Sequence, residues 1–128
     1  MNLENIPIAR SRTTHEKYQE HKKEVGDEYL SKFTFDLAQE NIIHESELWA
    51  VIPNDYPYDN VFEVHHILVP KRVFGSLNEM TRGELNDLEK IKILLDPMYD
   101  GVYENLFNDR SVQNHFHMQI FRWKRVEG

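Results

Sequence analysis

The sequence predicts an α+β domain, in which an antiparallel sheet of about five strands carries one main helix. Short apolar, β-branched runs recur from about residue 41 onward, and polar or proline-containing turns separate them. A single long stretch with helical periodicity lies between the third and fourth of these runs. The first 40 residues are rich in charge instead. We therefore expect residues 1–40 to form a helical N-terminal extension and residues 41–128 the sheet domain, as one compact unit.

Each predicted element has a local signal. In the extension, Thr13-Thr14-His15-Glu16 has the spacing of a capping box, which predicts a helix that ends near Val25. The main helix starts at a second capping box, Thr81 to Glu84, and its apolar periodicity stops at Asp96-Pro97. The predicted strands, in chain order, are Asn41–His44, Leu48–Ile52, a run within Val61–Val69 that is most strand-like at His66–Val69 and stops at Pro70, Val102–Phe107 and His115–Trp123.

The composition excludes several classes of function. The 128 residues contain no Cys, which rules out disulfides, thiolate nucleophiles and Cys-ligated zinc. Basic residues number 15 and acidic residues 22, and the resulting net charge of −7 argues against a nucleic-acid partner. No apolar run reaches the ~18 residues of a membrane span, and the first residues lack the layout of a signal peptide. We therefore expect a cytoplasmic protein with no membrane partner.

The most informative segment is the predicted last strand, because alternate side chains of a strand share a face. His115, His117 and Gln119 would point one way, whereas Phe116 and Met118 would point the other way, into the core. The simplest interpretation is a polar face exposed to solvent. A second interpretation is a metal site, since histidine is the commonest metal ligand. A third is covalent catalysis by a neutral imidazole.

Strand geometry argues against the metal site. Residues i and i+4 of a strand lie ~13 Å apart, so His115 and Gln119 do not easily share one ion. A site built on His115 and His117 would need a third ligand from elsewhere, such as His65 or His66. Covalent catalysis has no such difficulty, because a histidine with an ordinary pKa of ~6.5 is largely neutral and nucleophilic at neutral pH.

The segment His115-Phe116-His117-Met118-Gln119 resembles the signature of the histidine triad (HIT) superfamily, in its His-x-His-x-Gln form. That form is typical of the branch that contains galactose-1-phosphate uridylyltransferase and the diadenosine tetraphosphate phosphorylases. The resemblance extends over about residues 41 to 123, in the family's order, and implies a HIT-like fold. The further matching segments are Ile43-His44-Glu45, Trp49 to Pro57, His66 to Arg72, and Ser76-Leu77 with the helix that follows Thr81.

The resemblance also implies roles for individual residues. His117 matches the nucleophile that forms a nucleotidyl-histidine, His115 the residue that supports it, and Gln119 a contact to phosphate oxygens. Asn54 resembles the residue that meets the ribose, and Ser111 the residue that contacts phosphate shortly before the motif. The remaining phosphate-binding candidates are Asn105 or Asn108, which resemble the family's Asn, and Arg110, whose planar guanidinium suits phosphate.

The function implied is a nucleotide hydrolase or nucleotidyltransferase that acts at a nucleotide α-phosphate, with no cofactor and no metal. A nucleotide or nucleotide conjugate is then the substrate, and a homodimer is expected because family members commonly pair. The chain departs from the family where Asp109-Arg110 replace the usual Gly-Gln before Ser111. This departure keeps an alternative open, a nucleotide-binding or interaction protein on a HIT scaffold with little catalysis. The base, the leaving group and the acceptor are not specified by the sequence.

Overall fold

The computed structural model describes residues 10–25, 41–105 and 115–125. Within these ranges the chain forms two α-helices, a short 3-10 helix and five strands. In chain order these elements are α1 (Arg12–Val25), β1 (His44–Glu45), β2 (Trp49–Pro53), β3 (Phe62–Pro70), the 3-10 helix (Leu77–Glu79), α2 (Arg82–Leu95), β4 (Gly101–Tyr103) and β5 (Met118–Trp123). None of the helices in this described part of the chain has the length and apolar character that crossing a bilayer requires.

The five strands form one antiparallel sheet in the order β1-β2-β3-β5-β4. The last strand therefore lies inside the sheet, between β3 and β4. Gln119 occupies its second position and pairs with Ile67 on one side and Tyr103 on the other. The predicted α+β class and the antiparallel sheet of about five strands are confirmed.

One face of the sheet packs against α2. The capping box that the sequence predicts is present, since Thr81 and Glu84 each bond the other's backbone N–H. The periodic apolar residues of α2 then meet alternate residues of the strands in the main core. That core consists of Trp49, Val51, Leu68, Phe74, Leu88, Ile91, Leu95, Phe116 and Ile120.

Polar contacts fix the position of α2 over β2. The indole Nε1 of Trp49 donates to the carbonyl of Glu84 over 2.8 Å. The carboxylate of Asp87 accepts from the Ser46 hydroxyl over 2.6 Å and from the Leu48 backbone over 2.8 Å. These bonds satisfy polar groups that the packing takes out of water.

The opposite face of the sheet carries the candidate site. It begins with a small apolar cluster of Ala50, Ile52 and Val69 under Ile67. Farther along it carries His65, Gln119 and an aromatic group around Phe62. The helix α1 attaches to the loop that borders this face, through hydrogen bonds from Ser11 and Thr14 to Asp59. At the start of α1 the Ser11 hydroxyl accepts from the Thr14 backbone N–H. The helix is therefore capped two residues before Thr13, and the capping box predicted at Thr13 is wrong.

Gly101 of β4 lies where no larger residue fits. A Cβ at this position would come within 2.6 Å of the Phe121 ring, which faces it across the β4–β5 pair. We expect Gly101→Ala to lower the free energy of unfolding by about 1–3 kcal/mol through overpacking, as measured by urea denaturation. Gly83→Ala is the matched control, because its Cβ meets nothing closer than 3.9 Å. Equal effects of the two substitutions would contradict the steric explanation.

Candidate active site

His117 lies just before β5 and is oriented by its own backbone. Its Nδ1 lies 2.9 Å from the carbonyl oxygen of His115. A carbonyl only accepts hydrogen bonds, so Nδ1 carries the proton and the lone pair of the neutral ring belongs to Nε2. The side chain is 6% exposed. The backbone thus fixes both the orientation and the tautomer of this imidazole.

The last strand is shorter than the sequence predicts. It begins at Met118 instead of His115, and its final pair with β3 joins Leu68 to Met118. Pro70 ends β3 and has no N–H to donate. The Pro70 carbonyl accepts from the His115 ring instead, over 3.2 Å. The ladder therefore stops before His117, and the two histidines are positioned by side-chain bonds.

The polar residues of the motif are not a solvent-exposed face. His115 is 0% exposed and Gln119 is 8% exposed. His115 is held in the interior by its bond to Pro70, a contact that joins the motif to the end of β3. The predicted inward side of the segment is confirmed, since Phe116 belongs to the main core and Met118 packs against it. The interpretation of an exposed polar strand face is therefore wrong.

Asn54 and Gln119 lie together, although 65 residues separate them. The Asn54 amide nitrogen donates to Gln119 Oε1 over 3.5 Å, and Asn54 Oδ1 accepts from the backbone N–H of Tyr56 over 2.9 Å. Gln119 thus accepts through its carbonyl oxygen, and its amide N–H groups are the part suited to donation. The structure brings these two sequence-predicted residues into one cluster.

His65 belongs to the same cluster, although the sequence suggested it, together with His66, only as a third ligand of a metal site. Its Nδ1 accepts from the Tyr58 backbone N–H over 2.9 Å, and its Nε2 lies 3.3 Å from the Tyr103 hydroxyl. Alternate side chains of a strand point to opposite faces, so the adjacent residues His65 and His66 lie on different faces of the sheet. His66 bonds the hydroxyl of Tyr99 over 2.7 Å on the α2 side of the sheet. His65 lies near Gln119 because β3 pairs with β5, a long-range contact that the local sequence pattern does not contain.

Burial keeps His65 neutral. Removal from water lowers its pKa from 6.5 to about 4, the positive charges of Arg10 and His66 act in the same direction, and a hydrogen bond with Gln119 opposes them. Burial also raises the pKa of the Tyr103 hydroxyl. Both groups therefore face the site as neutral hydrogen-bonding partners at neutral pH.

The comparison with solved structures finds a histidine triad protein from Clostridium difficile. The superposition has a TM-score of 0.52 and covers 73% of this chain and 90% of that chain, at 18% sequence identity. The chain has a histidine-triad-like fold. No protein-family model and no curated protein matches the sequence.

The sequence also predicted four residues that contact phosphate, namely Asn105 or Asn108, Arg110 and Ser111. Asn105 is half-buried and follows β4 by two residues, and in the described part of the chain no hydrogen bond joins it to the motif. Asn108, Arg110 and Ser111 lie outside the described residues. Their proposed contacts to phosphate therefore stay predictions.

The metal hypothesis gains no support from the described residues. Among residues 10–25, 41–105 and 115–125, no group of three or more His, Cys, Asp or Glu side chains is arranged to hold an ion. His65 and His66, the suggested source of a third ligand, bond Tyr58 and Tyr99 instead. The His115 and His117 rings each form a hydrogen bond to a backbone carbonyl, that of Pro70 and that of His115 respectively.

The buried state of His65 predicts a pH dependence of stability. The unfolded chain takes up a proton near pH 6.5, whereas the folded protein does so near pH 4. The unfolded state therefore binds more protons in this interval, and the free energy of unfolding falls as the pH falls from about 6.5 to about 4. Urea denaturation at several pH values measures this slope. The His65→Gln variant should show a shallower slope, and an unchanged slope would contradict the assignment.

Proposed function

We propose that the protein is a nucleotide hydrolase or nucleotidyltransferase that forms a covalent nucleotidyl-His117. The observation that carries the proposal is the hydrogen bond from Nδ1 of His117 to the His115 carbonyl. It makes Nε2 the nucleophilic nitrogen of an imidazole that is already oriented. The His-x-His-x-Gln motif and the histidine-triad-like fold support a nucleotide α-phosphate as the electrophile.

The proposed reaction has two steps. Nε2 of His117 attacks the α-phosphorus, a P–N bond forms, and the bond from phosphorus to the leaving oxygen breaks, with the electron pair departing on that oxygen. Water or another hydroxyl then attacks the same phosphorus, and its proton passes to the solvent. The P–N bond breaks and its electron pair returns to Nε2, so His117 is neutral again. The released nucleotide carries the attacking oxygen on its phosphorus. Splitting the displacement in this way replaces one hard step by two easier ones.

The neighbouring residues suit the support of such a displacement. Gln119 accepts from Asn54 through Oε1, so its amide nitrogen is suited to donate to the phosphate oxygens that gain charge. His115, through its bond to Pro70, holds the backbone carbonyl that orients His117. We propose that Asn54 binds the ribose of the nucleotide. We also propose that Asn105 or Asn108, together with Arg110 and Ser111, contacts its phosphate.

The covalent intermediate gives a direct test. The intact mass of the protein is measured at mildly basic pH after brief exposure to dinucleotides, nucleotide sugars and nucleoside phosphoramidates. We expect an acid-labile increase of one nucleotide on the native protein and none on His117→Ala. Release of product from the same tubes identifies the case in which the adduct is hydrolysed too quickly to accumulate.

A second candidate function is nucleotide binding with little chemistry. The replacement of the family's Gly-Gln by Asp109-Arg110 before Ser111 favours it, because this segment precedes the motif and contacts phosphate in the family. In that case nucleotides bind the native protein with neither adduct nor product. Turnover that requires His117 would exclude it.

A further inference from the structure

Arg10 is held in a fixed position beside the candidate site. Its guanidinium carbon lies 4.6 Å from the centroid of the Tyr18 ring and 5.0 Å from that of Tyr58. Its Nε donates to the carbonyl of Tyr56 over 3.1 Å, and the residue is half-buried. Cation–π contacts and this hydrogen bond together restrict a side chain that is usually mobile.

Asp59 fixes the segment that carries Arg10. Its carboxylate accepts from the Ser11 backbone over 2.7 Å, from the Ser11 hydroxyl over 2.8 Å and from the Thr14 hydroxyl over 2.7 Å. Although burial alone would raise it, these bonds lower the pKa of Asp59 to about 2. The attachment is therefore intact at neutral pH, and it joins the start of α1 to the loop between β2 and β3.

Arg10 has no acidic partner among the described residues, in contrast to Lys71 and Arg72. Lys71 pairs with Glu45 over 2.9 Å and Arg72 with Glu84 over 2.7 Å. No carboxylate within residues 10–25, 41–105 and 115–125 lies at ion-pair distance from Arg10. A guanidinium has five N–H donors, and the described contacts use Nε alone for a hydrogen bond.

The position of Arg10 is related to the motif through Tyr58 and His65. The Tyr58 ring lies 5.0 Å from the His65 ring, between centroids. His65 pairs with Phe121, which lies two residues beyond Gln119 along β5. Through Tyr58 and His65, Arg10 therefore lies toward the Phe121 end of β5, whereas His117 directly precedes the start of that strand. In an in-line displacement the leaving group departs on the side of phosphorus opposite the nucleophile.

We propose that Arg10 binds a second phosphate of the substrate, carried by the leaving group, and so selects nucleotides with a polyphosphate over those with a single phosphate. This inference rests on the proposed function. The described site residues near the motif are neutral amides, a phenol and a neutral His65, so they supply no positive charge for a second phosphate, whereas Arg10 is a cation held beside them. A guanidinium with spare planar N–H donors is suited to that anion.

The test is equilibrium binding, which does not require turnover. Adenosine and uridine 5′-monophosphate and 5′-diphosphate are titrated calorimetrically into the full chain at constant ionic strength. We expect the native protein to bind the diphosphate about ten-fold more tightly than the monophosphate of its preferred base, because a charge-assisted contact is added. Arg10→Gln should bind the two equally. Arg10→Lys should keep part of the preference, since the charge remains.

Arg12→Gln is the matched control, because Arg12 is the neighbouring exposed arginine at the start of α1. It should keep the preference for the diphosphate, and circular dichroism should show the same fold in all variants. Asp59→Asn should weaken the preference by releasing the segment that holds Arg10. The inference is overturned if native protein binds both nucleotides equally, if Arg10→Gln keeps the preference, or if Arg12→Gln loses it to the same extent. Absence of any nucleotide binding to the native protein would overturn the proposed function as well.

Discussion

The His117→Ala variant is expected to lose turnover by on the order of 10⁴-fold or more in kcat, because no other group replaces a covalent nucleophile. The affinity for nucleotide should change little, since Asn54 and Gln119 still contact each other and the sheet is unaltered. The measurement is single-turnover release of nucleotide from the best substrate found in the mass test. An unchanged kcat would exclude His117 as the nucleophile.

His66→Ala is the matched control for this loss. His66 is also a histidine of the central sheet, but it bonds Tyr99 on the α2 side. Its removal should leave kcat within a few-fold of the native value. If both substitutions abolish turnover while the folds stay intact, the effect would have to come from the sheet as a whole, and the assignment of the nucleophile to His117 would fail.

The second large effect is expected at Trp49, which is 0% exposed and lies at the centre of the main core. Trp49→Ala removes an indole that packs edge-on against Phe116, at a centroid distance of 6.5 Å. It also leaves the Glu84 carbonyl without its 2.8 Å bond from Nε1. Truncations of buried aromatic residues cost about 3–5 kcal/mol. A loss of this size is a large share of the stability of a domain, which is about 5–15 kcal/mol.

Urea denaturation measures the loss, and Trp123→Ala is its control. Trp123 is 52% exposed at the end of β5, where its ring contacts those of Phe62 and Phe121. Its truncation should cost clearly less than that of Trp49, because about half of the Trp123 side chain already lies in water. If the two tryptophans gave equal losses, burial in the main core could not be the cause of the Trp49 effect.

Local signals predicted the parts of the fold that depend on neighbours in sequence. The helix α2 follows from a capping box and a 3.6-residue period, both contained within 14 residues of its range, Arg82–Leu95. The opposite orientations of His65 and His66 follow in the same way from strand alternation. The pattern of two histidines and a glutamine indicated a joint site, which stays a prediction; the contact of Gln119 with Asn54 spans 65 residues and is not part of that pattern.

The features that the sequence did not predict depend on distant partners. The start of β5 is set by Pro70 and by the bond from His115 to it, across 45 residues. The role of Asp59 as an anchor for Ser11 and Thr14 spans 45 residues or more, and no periodicity reports it. The N-terminal segment therefore carried no functional signal in the sequence, although Arg10 lies against the aromatic rings beside the site.

The position of β5 within the sheet has a consequence for how the protein is made. Among the strands that the structure describes, this one comes last in the sequence but lies between β3 and β4. During synthesis, β3 and β4 therefore each have an unpaired backbone edge until β5 has been made. Unpaired strand edges can pair with other chains and cause aggregation. The pairing that completes the sheet joins Leu68 to Met118, a long-range contact of the kind that slows folding. Gln119 and His65 meet only at that step, so the candidate site forms only when the sheet is completed.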